Sequence, residues 1–154
     1  MMPTLENKIP PPIIAALLAV AMWWGSSVAP AVELNSSVRQ IIIVLLLVLG
    51  ASVDIAAILA FRRAITTVNP IKPEKASSLV RSGIYQVSRN PMYVGLALFL
   101  LAWAVYLSSV WACLGVLGFV LYINRFQIAP EEQALTKNFG AEYVNYQSKV
   151  RRWL

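Results

Sequence analysis

Two segments of this chain hold side chains that can do chemistry together. The first runs from Leu79 and Val80 through Arg81, Tyr85 and Arg89 to Asn90-Pro91-Met92-Tyr93. Asn90 suits a helix N-cap and Pro91 the first helical position, so a helix start is expected there. The second, Asn124-Arg125-Phe126-Gln127-Ile128-Ala129-Pro130-Glu131-Glu132, continues to Glu142, Tyr143 and Tyr146. Between them they offer a free helix start that attracts anions, arginines, a carboxylate pair, and tyrosine rings that stack or attract a cation. Such a set suits a ligand with a cation, an anion and a flat ring.

Other chemistries are excluded by what the chain lacks. It has no histidine, which removes the commonest general base and metal ligand and argues against zinc or di-iron sites. No metal is expected. Cys113 is the single cysteine; it lies in an apolar run and is read as a small packing hydrophobe. No G-x-G-x-x-G follows a strand pattern, so a soluble dinucleotide-type fold is excluded.

The elements that must position these residues are apolar. Hydrophobic residues make up 58% of the 154 residues and charged residues 13%, against about a quarter charged in soluble domains. Apolar runs cover about 10–32, 38–61, 91–107 and 109–128. Roughly 20 helical residues cross a bilayer, so the fold expected is an all-α polytopic membrane bundle of about four spans in one domain. The third and fourth runs are short and read as a hairpin extended past the membrane. Gly95, Gly115 and Gly118 are placed for close helix approach. Pro10-Pro11-Pro12 open the first run, and no basic leader or A-x-A site frames it, so it is read as a span rather than a cleaved signal. A polar loop, 62–90, and a polar helical tail, 129–154, complete the chain.

Basic residues orient the bundle. With four spans, Lys8, Arg62, Arg63, Lys72, Lys75, Arg81, Arg89, Arg125, Lys137, Lys149, Arg151 and Arg152 share one side, and only Arg39 of the 13 faces the other. The positive-inside rule then gives N-in and C-in, with loop and tail cytosolic. The net charge of +6 is accounted for by that asymmetry, and nucleic acid is not expected as a partner. A hairpin brings its ends together, so the two reactive segments should meet at the cytosolic surface.

The pair S-G-I-Y-x-x-x-R-N-P-M-Y-x-G and P-E-E-x-x-L-x-x-x-F-G-x-E-Y-x-x-Y resembles the isoprenylcysteine carboxyl methyltransferase and phospholipid methyltransferase superfamily, closest to its short bacterial members. The similarity includes Thr66-Thr67-Val68-Asn69-Pro70 and the closing Val150-Arg151-Arg152-Trp153-Leu154. The resemblance implies S-adenosylmethionine as methyl donor and a lipid-like or lipidated acceptor entering from a bacterial inner membrane. It implies donor binding by Leu79, Val80, Tyr85, Arg89, Asn90, Pro91, Met92, Tyr93 and Glu131. Arg125 and Glu132 are the candidate catalytic residues, and Gln127, Arg125 and Asp54 the candidates on the acceptor side. Carboxyl O-methylation is the leading reaction and amine N-methylation the alternative. Asn90 stands where the eukaryotic isoprenylcysteine enzymes have His, and Gln127 where they have Arg.

Plainer roles fit several of these residues. Glu131-Glu132 matches the acidic first turn of a surface helix, and Tyr85, Tyr93 and Trp153 match interfacial aromatics. Tyr143 and Tyr146 read as packing residues of the tail. Asp54 is an intramembrane acid about 12 Å from the Arg62 end at ~1.5 Å per residue; an ion pair or hydrogen bond to Asn124 or Arg125 is expected. Other function classes consistent with the spans are an NADPH-dependent membrane reductase and a non-enzymatic membrane scaffold. The short third and fourth helices also admit a homodimer.

Overall fold

The computed structural model describes residues 8–28, 31–64 and 78–154. Thr66-Thr67-Val68-Asn69-Pro70, Lys72, Lys75 and Ser77 of the expected loop lie outside these residues. Helix α1 spans Pro11–Ser26. Its opening proline has no N–H to leave unpaired at the helix start. At its other end the Ser26 and Ser27 hydroxyls donate to Trp23 O (2.7 Å) and Trp24 O (2.6 Å), satisfying final-turn carbonyls. The expected span 10–32 is therefore helical only as far as Ser26, where Gly25 and two serines end the run.

Helix α2 spans Ser36–Arg63. Asn35 Oδ1 caps it by accepting from Ser37 N at 3.0 Å and Val38 N at 3.4 Å, and Arg62 and Arg63 lie in its last turn, where cations are favoured. Helix α3 spans Pro91–Leu107 and stops at Ser108, whose φ of 52° is left-handed. Ser108 also ties three segments together. Its hydroxyl accepts from Arg39 Nη1 at 2.8 Å and its carbonyl from Val32 N at 2.6 Å.

The fourth run is one helical rod over Val110–Phe139, made of a 3-10 turn Val110–Ala112, α4 Cys113–Ile123, a π turn Asn124–Ile128 and α5 Ala129–Phe139. The π turn has a local cause. Pro130 offers no N–H to the carbonyl four residues back and its ring crowds that carbonyl, so the helix widens just before it. Ala129 N accordingly reaches back five residues to Asn124 O. Gly140, at φ 52°, breaks the rod, and α6 follows over Ala141–Lys149. The tail is thus two helices rather than one. The described residues contain no strand, only a parallel bridge between Ser88 and Arg151.

Helices α2 and Val110–Phe139 are long and apolar enough to cross a membrane, while α1 and α3 are shorter apolar helices. Along α2, Ile41, Val44, Leu45, Val48 and Ile55 are exposed. A surface of that kind needs lipid as its solvent, because helices are what satisfies backbone groups there. The protein is an all-α membrane bundle. Helix α3 lies at its centre and contacts α1, α2 and α4. The core joins Ile14 and Met22 of α1, Leu100 and Ala104 of α3, and Phe119, Ile123 and Ile128 of the rod.

Glycines at helix contacts permit this packing. A Cβ on Gly95 would strike the Asp54 carboxylate, and one on Gly115 would strike the Met22 side chain. Gly118 is less crowded, with Leu18 Cδ2 at 3.9 Å. Gly95→Ala is expected to lower thermal stability by about 1–3 kcal/mol through overpacking, more than the ~1 kcal/mol gained in helix propensity. In an Asp54→Ala background the same change should cost less, which a double-mutant cycle in detergent measures.

Candidate functional site at the polar end of the bundle

The start of α3, the start of α5 and the end of the chain converge at one end of the bundle. Glu131 lies just past the apolar part of the rod and turns toward α3. Its Oε1 accepts from Tyr93 Oη at 2.6 Å and from Gln127 Nε2 at 2.8 Å. Its second oxygen accepts no hydrogen bond among the described residues. Both partners are neutral, so no charge offsets its burial. Burial pushes the Glu131 carboxyl from an ordinary 4.5 up to about 7; Gln127 and Tyr93 oppose the rise and the Glu132 charge adds to it.

Glu132 points elsewhere. Its Oε1 lies 3.0 Å from Arg89 Nη1, and Arg152 binds it with both Nε (3.1 Å) and Nη2 (2.6 Å). A carboxylate held by two guanidinium groups is a fastening rather than a free base, so the catalytic role expected for Glu132 gives way to a positioning one. Arg89 itself is largely buried. Its Nε and Nη1 make no hydrogen bond, so the contact with Glu132 is one of charge and not of aligned N–H groups.

The chain end completes the fastening. Arg89 N donates to Arg151 O at 3.0 Å, and Asn90 Nδ2 donates to Arg152 O at 2.9 Å. Asn90 therefore does not cap α3 with its side chain, contrary to expectation; Ser88 Oγ accepts from its N–H at 3.1 Å instead. Trp153 is likewise not a lipid anchor. Its Nε1 donates to Asn124 Oδ1 at 3.0 Å and its ring packs on the core. Ser88 and Arg152 are thus site-forming residues to which the sequence assigns no role, and Trp153 is one to which it assigns a different role. Their one signal is a polar or aromatic residue in each conspicuous motif.

Tyr85 sits in a 3-10 turn, Gly83–Gln86, opened by Gly83 at φ 62°. Its ring is buried with Val80, Ala57 and Ala60, beside Met92, and meets Phe61 edge-on at 5.4 Å between centroids. Its carbonyl accepts from Tyr146 Oη at 2.6 Å, so α6 holds the turn in place. Burial raises the Tyr85 phenol, and the nearby Tyr146, Glu131 and Asp54 raise it further. Leu79 is half-buried next to Val80. Pro91 has no N–H, and Tyr93 N and Val94 N both donate to Asn90 O (3.0 and 3.2 Å). Met92 N–H is then the first-turn donor of α3 with no partner among the described residues.

The residues expected on the acceptor side do not gather at this point. Gln127 is buried against Glu131. Arg125 is exposed, with its guanidinium carbon 5.4 Å from the Phe126 ring centroid. Asp54 lies against Gly95, and its Oδ1 is buried with no hydrogen bond. Asn124, one of the two partners expected for it, is engaged by Trp153 instead.

Residues 38–142, all of the rod and of the 78–95 segment included, match the family described as phospholipid methyltransferase. The chain belongs to the phospholipid methyltransferase family. An uncharacterized protein of Haemophilus influenzae is 56% identical over 63 residues, 41% of this chain and 100% of that protein. Protein-S-isoprenylcysteine O-methyltransferase B of Arabidopsis thaliana is 32% identical over 110 residues, 68% of this chain and 53% of that protein. The Saccharomyces cerevisiae protein-S-isoprenylcysteine O-methyltransferase is 28% identical over 109 residues, 69% of this chain and 44% of that protein. The family member described here therefore spans about half the length of these eukaryotic relatives.

Glu132→Ala is expected to destabilise the bundle by roughly 3 kcal/mol, because it leaves the buried Arg89 charge without its partner. Arg152→Ala, at the more exposed end of the same cluster, should cost about 1 kcal/mol or less; chemical denaturation in detergent compares them. Glu131 gives a pH signature. Its folded pKa lies above its ordinary value, so the stability tied to its proton is complete below about 4.5, declines from there, and is gone above about 7. Thermal melting across that window should show the decline in the wild type and lack this component in Glu131→Gln.

Proposed function

We propose that this protein transfers a methyl group from S-adenosylmethionine to a membrane-borne acceptor. The observation that carries the proposal is that Glu131 and Arg89 both lie at the start of α3, Glu131 through Tyr93 and Arg89 just before Asn90. One is a carboxylate with only neutral partners, the other a buried guanidinium with two N–H-bearing atoms lacking hydrogen bonds. Both flank the start of α3, and the neighbours Glu131 and Glu132 hold Tyr93 and Arg89 side by side. An α-amino acid group presents a cation and an anion together and suits that pair. Glu131 receives the ammonium or ribose hydroxyls; Arg89 and Met92 N–H receive the carboxylate. Val80 and Tyr85, with Leu79 and Met92 beside them, offer an apolar and aromatic lining for adenosine. Asn90 and Pro91 act through the backbone, one tethered to the chain end and the other opening α3.

When bound, the donor supplies an electrophilic methyl on a sulfonium. The chain's part is to align the reactants and exclude water. Glu132 contributes by fixing Arg89, and Gln127 and Tyr93 by fixing Glu131. The distribution of basic residues supports a cytosolic site in a bacterial inner membrane, with both termini on that side. The names of the plant and yeast relatives support a prenylated cysteine carboxylate as acceptor.

Purified wild-type protein in detergent is expected to bind S-adenosylhomocysteine in calorimetry. Glu131→Ala should weaken that binding by tenfold or more, on the order of the 1.5–3 kcal/mol of a hydrogen bond to a charged group. An absence of binding by the wild type overturns the proposal.

A further inference from the structure

Pro130 explains where the π turn Asn124–Ile128 forms, but a missing N–H does not hold a turn open. Such turns are rare, single-turn features. Asn124, the first residue of this one, accepts two hydrogen bonds. Its carbonyl accepts from Ala129 N, five residues on, and its side-chain Oδ1 accepts from Trp153 Nε1 at 3.0 Å. The Trp153 ring packs on the core cluster to which Ile123, just before the turn, and Ile128, its last residue, both belong.

The residue next to Trp153 grips the rod beyond the turn. Arg152 binds Glu132 with Nε at 3.1 Å and Nη2 at 2.6 Å. Two adjacent residues of the chain end thus hold the rod on both sides of the π turn, at Asn124 and at Glu132. Helix geometry shows why the turn has to be wide for that. In an unbroken α-helix, at about 100° per residue, positions 124 and 132 face directions about 80° apart. Once the wide turn absorbs one residue, they face within about 20° of each other. Both side chains then meet one short stretch of chain. That stretch is itself tied down, Arg151 O accepting from Arg89 N and Arg152 O from Asn90 Nδ2.

We infer that Trp153 is a positioning residue of the donor site: with Arg152 it splints the wide turn, and the splint sets the direction in which Glu131 faces. Glu131 lies between the two braced points. Facing α3, it accepts from Tyr93 Oη at 2.6 Å, and Gln127, inside the turn, adds its bond at 2.8 Å. With the turn narrowed, Ala129 N bonds the carbonyl four residues back and all that follows turns by about 100°. That rotation carries Glu131 off Tyr93. Trp153 acts through Asn124 and not by touching the ligand. The part of Glu131 in donor binding rests on the function proposed above; the splint does not.

The full chain in detergent tests this. Trp153→Phe keeps a ring in place and removes the Nε1 donor. Trp103→Phe is its control, because Trp103 Nε1 also makes one bond, from α3 to Ala19 O of α1 at 3.0 Å. In the first measurement, protein carrying 3-fluorotyrosine is followed by fluorine NMR, the Tyr93 resonance being identified by its loss in Tyr93→Phe. Trp153→Phe should shift that resonance toward its position in Glu131→Ala, and Trp103→Phe should leave it in place. In the second, Trp153→Phe should weaken S-adenosylhomocysteine binding about tenfold, the scale of one lost hydrogen bond, with Trp103→Phe within about twofold of wild type. Asn124→Leu removes the acceptor and should reproduce both effects, and adding Trp153→Phe to it should change little more. An unmoved Tyr93 resonance, unchanged binding by Trp153→Phe where wild type binds, or equal effects of Trp103→Phe overturns the inference. If wild type does not bind S-adenosylhomocysteine, the methyl-transfer function falls, while the Tyr93 resonance still decides whether Trp153 sets the direction of Glu131.

Discussion

The polar end of this bundle is organised around the Glu132 carboxylate. It binds Arg89 from the segment before α3 and Arg152 from the end of the chain, and it sits itself on the first turn of α5. Three stretches distant in sequence are thus pinned to one charge. Partial burial strengthens the attraction and also raises the cost of breaking it. The backbone bonds from Arg89 N to Arg151 O and from Asn90 Nδ2 to Arg152 O follow the same seam. Arg89 and Asn90 hang from this seam, because both are bonded to the chain end that lies against them.

The membrane imposes the rest. Hydrocarbon offers no partner to a polar group, so polar side chains collect at one end, and those left inside need a reason. Glu131 and Asp54 are two inward-lying carboxylates with no ion pair among the described residues. Glu131 is restrained by Tyr93 and Gln127 and belongs to the aqueous side. Asp54 is restrained by shape, through Gly95, and belongs to the lipid side.

Much of this was legible in the chain. The run Pro91–Leu107 forms α3 at both expected ends, because proline sets the start and a serine able to adopt the left-handed conformation sets the stop. The pairing of the two motifs follows from hairpin geometry, so their meeting was predictable once the spans were drawn. The first run misled through its apolar tail, where Gly25-Ser26-Ser27 end a helix that composition alone extends to residue 32. Side-chain partners were harder. Asn90 looked like a cap, but its amide is drawn to the Arg152 carbonyl, 62 residues away. Trp153 looked like an anchor in lipid, but Asn124 supplies an acceptor for its N–H. Such bonds depend on where the chain end docks, which no local pattern records.

The π turn at Asn124–Ile128 bears on how this architecture tolerates change. Each helical residue rotates the chain by about 100°, so the extra residue in the wide turn sets which way all of α5 faces. Upstream, toward the lipid, one side chain can replace another of similar size without altering that direction. Removing or adding a single residue within the turn would swing Glu131 away from Tyr93 and Glu132 away from Arg89 together, since both carboxylates ride on the same helix. Length across these five residues is therefore under tighter constraint than identity along the apolar part of the rod. The wide turn is the register mark that aligns a membrane helix with a water-facing site.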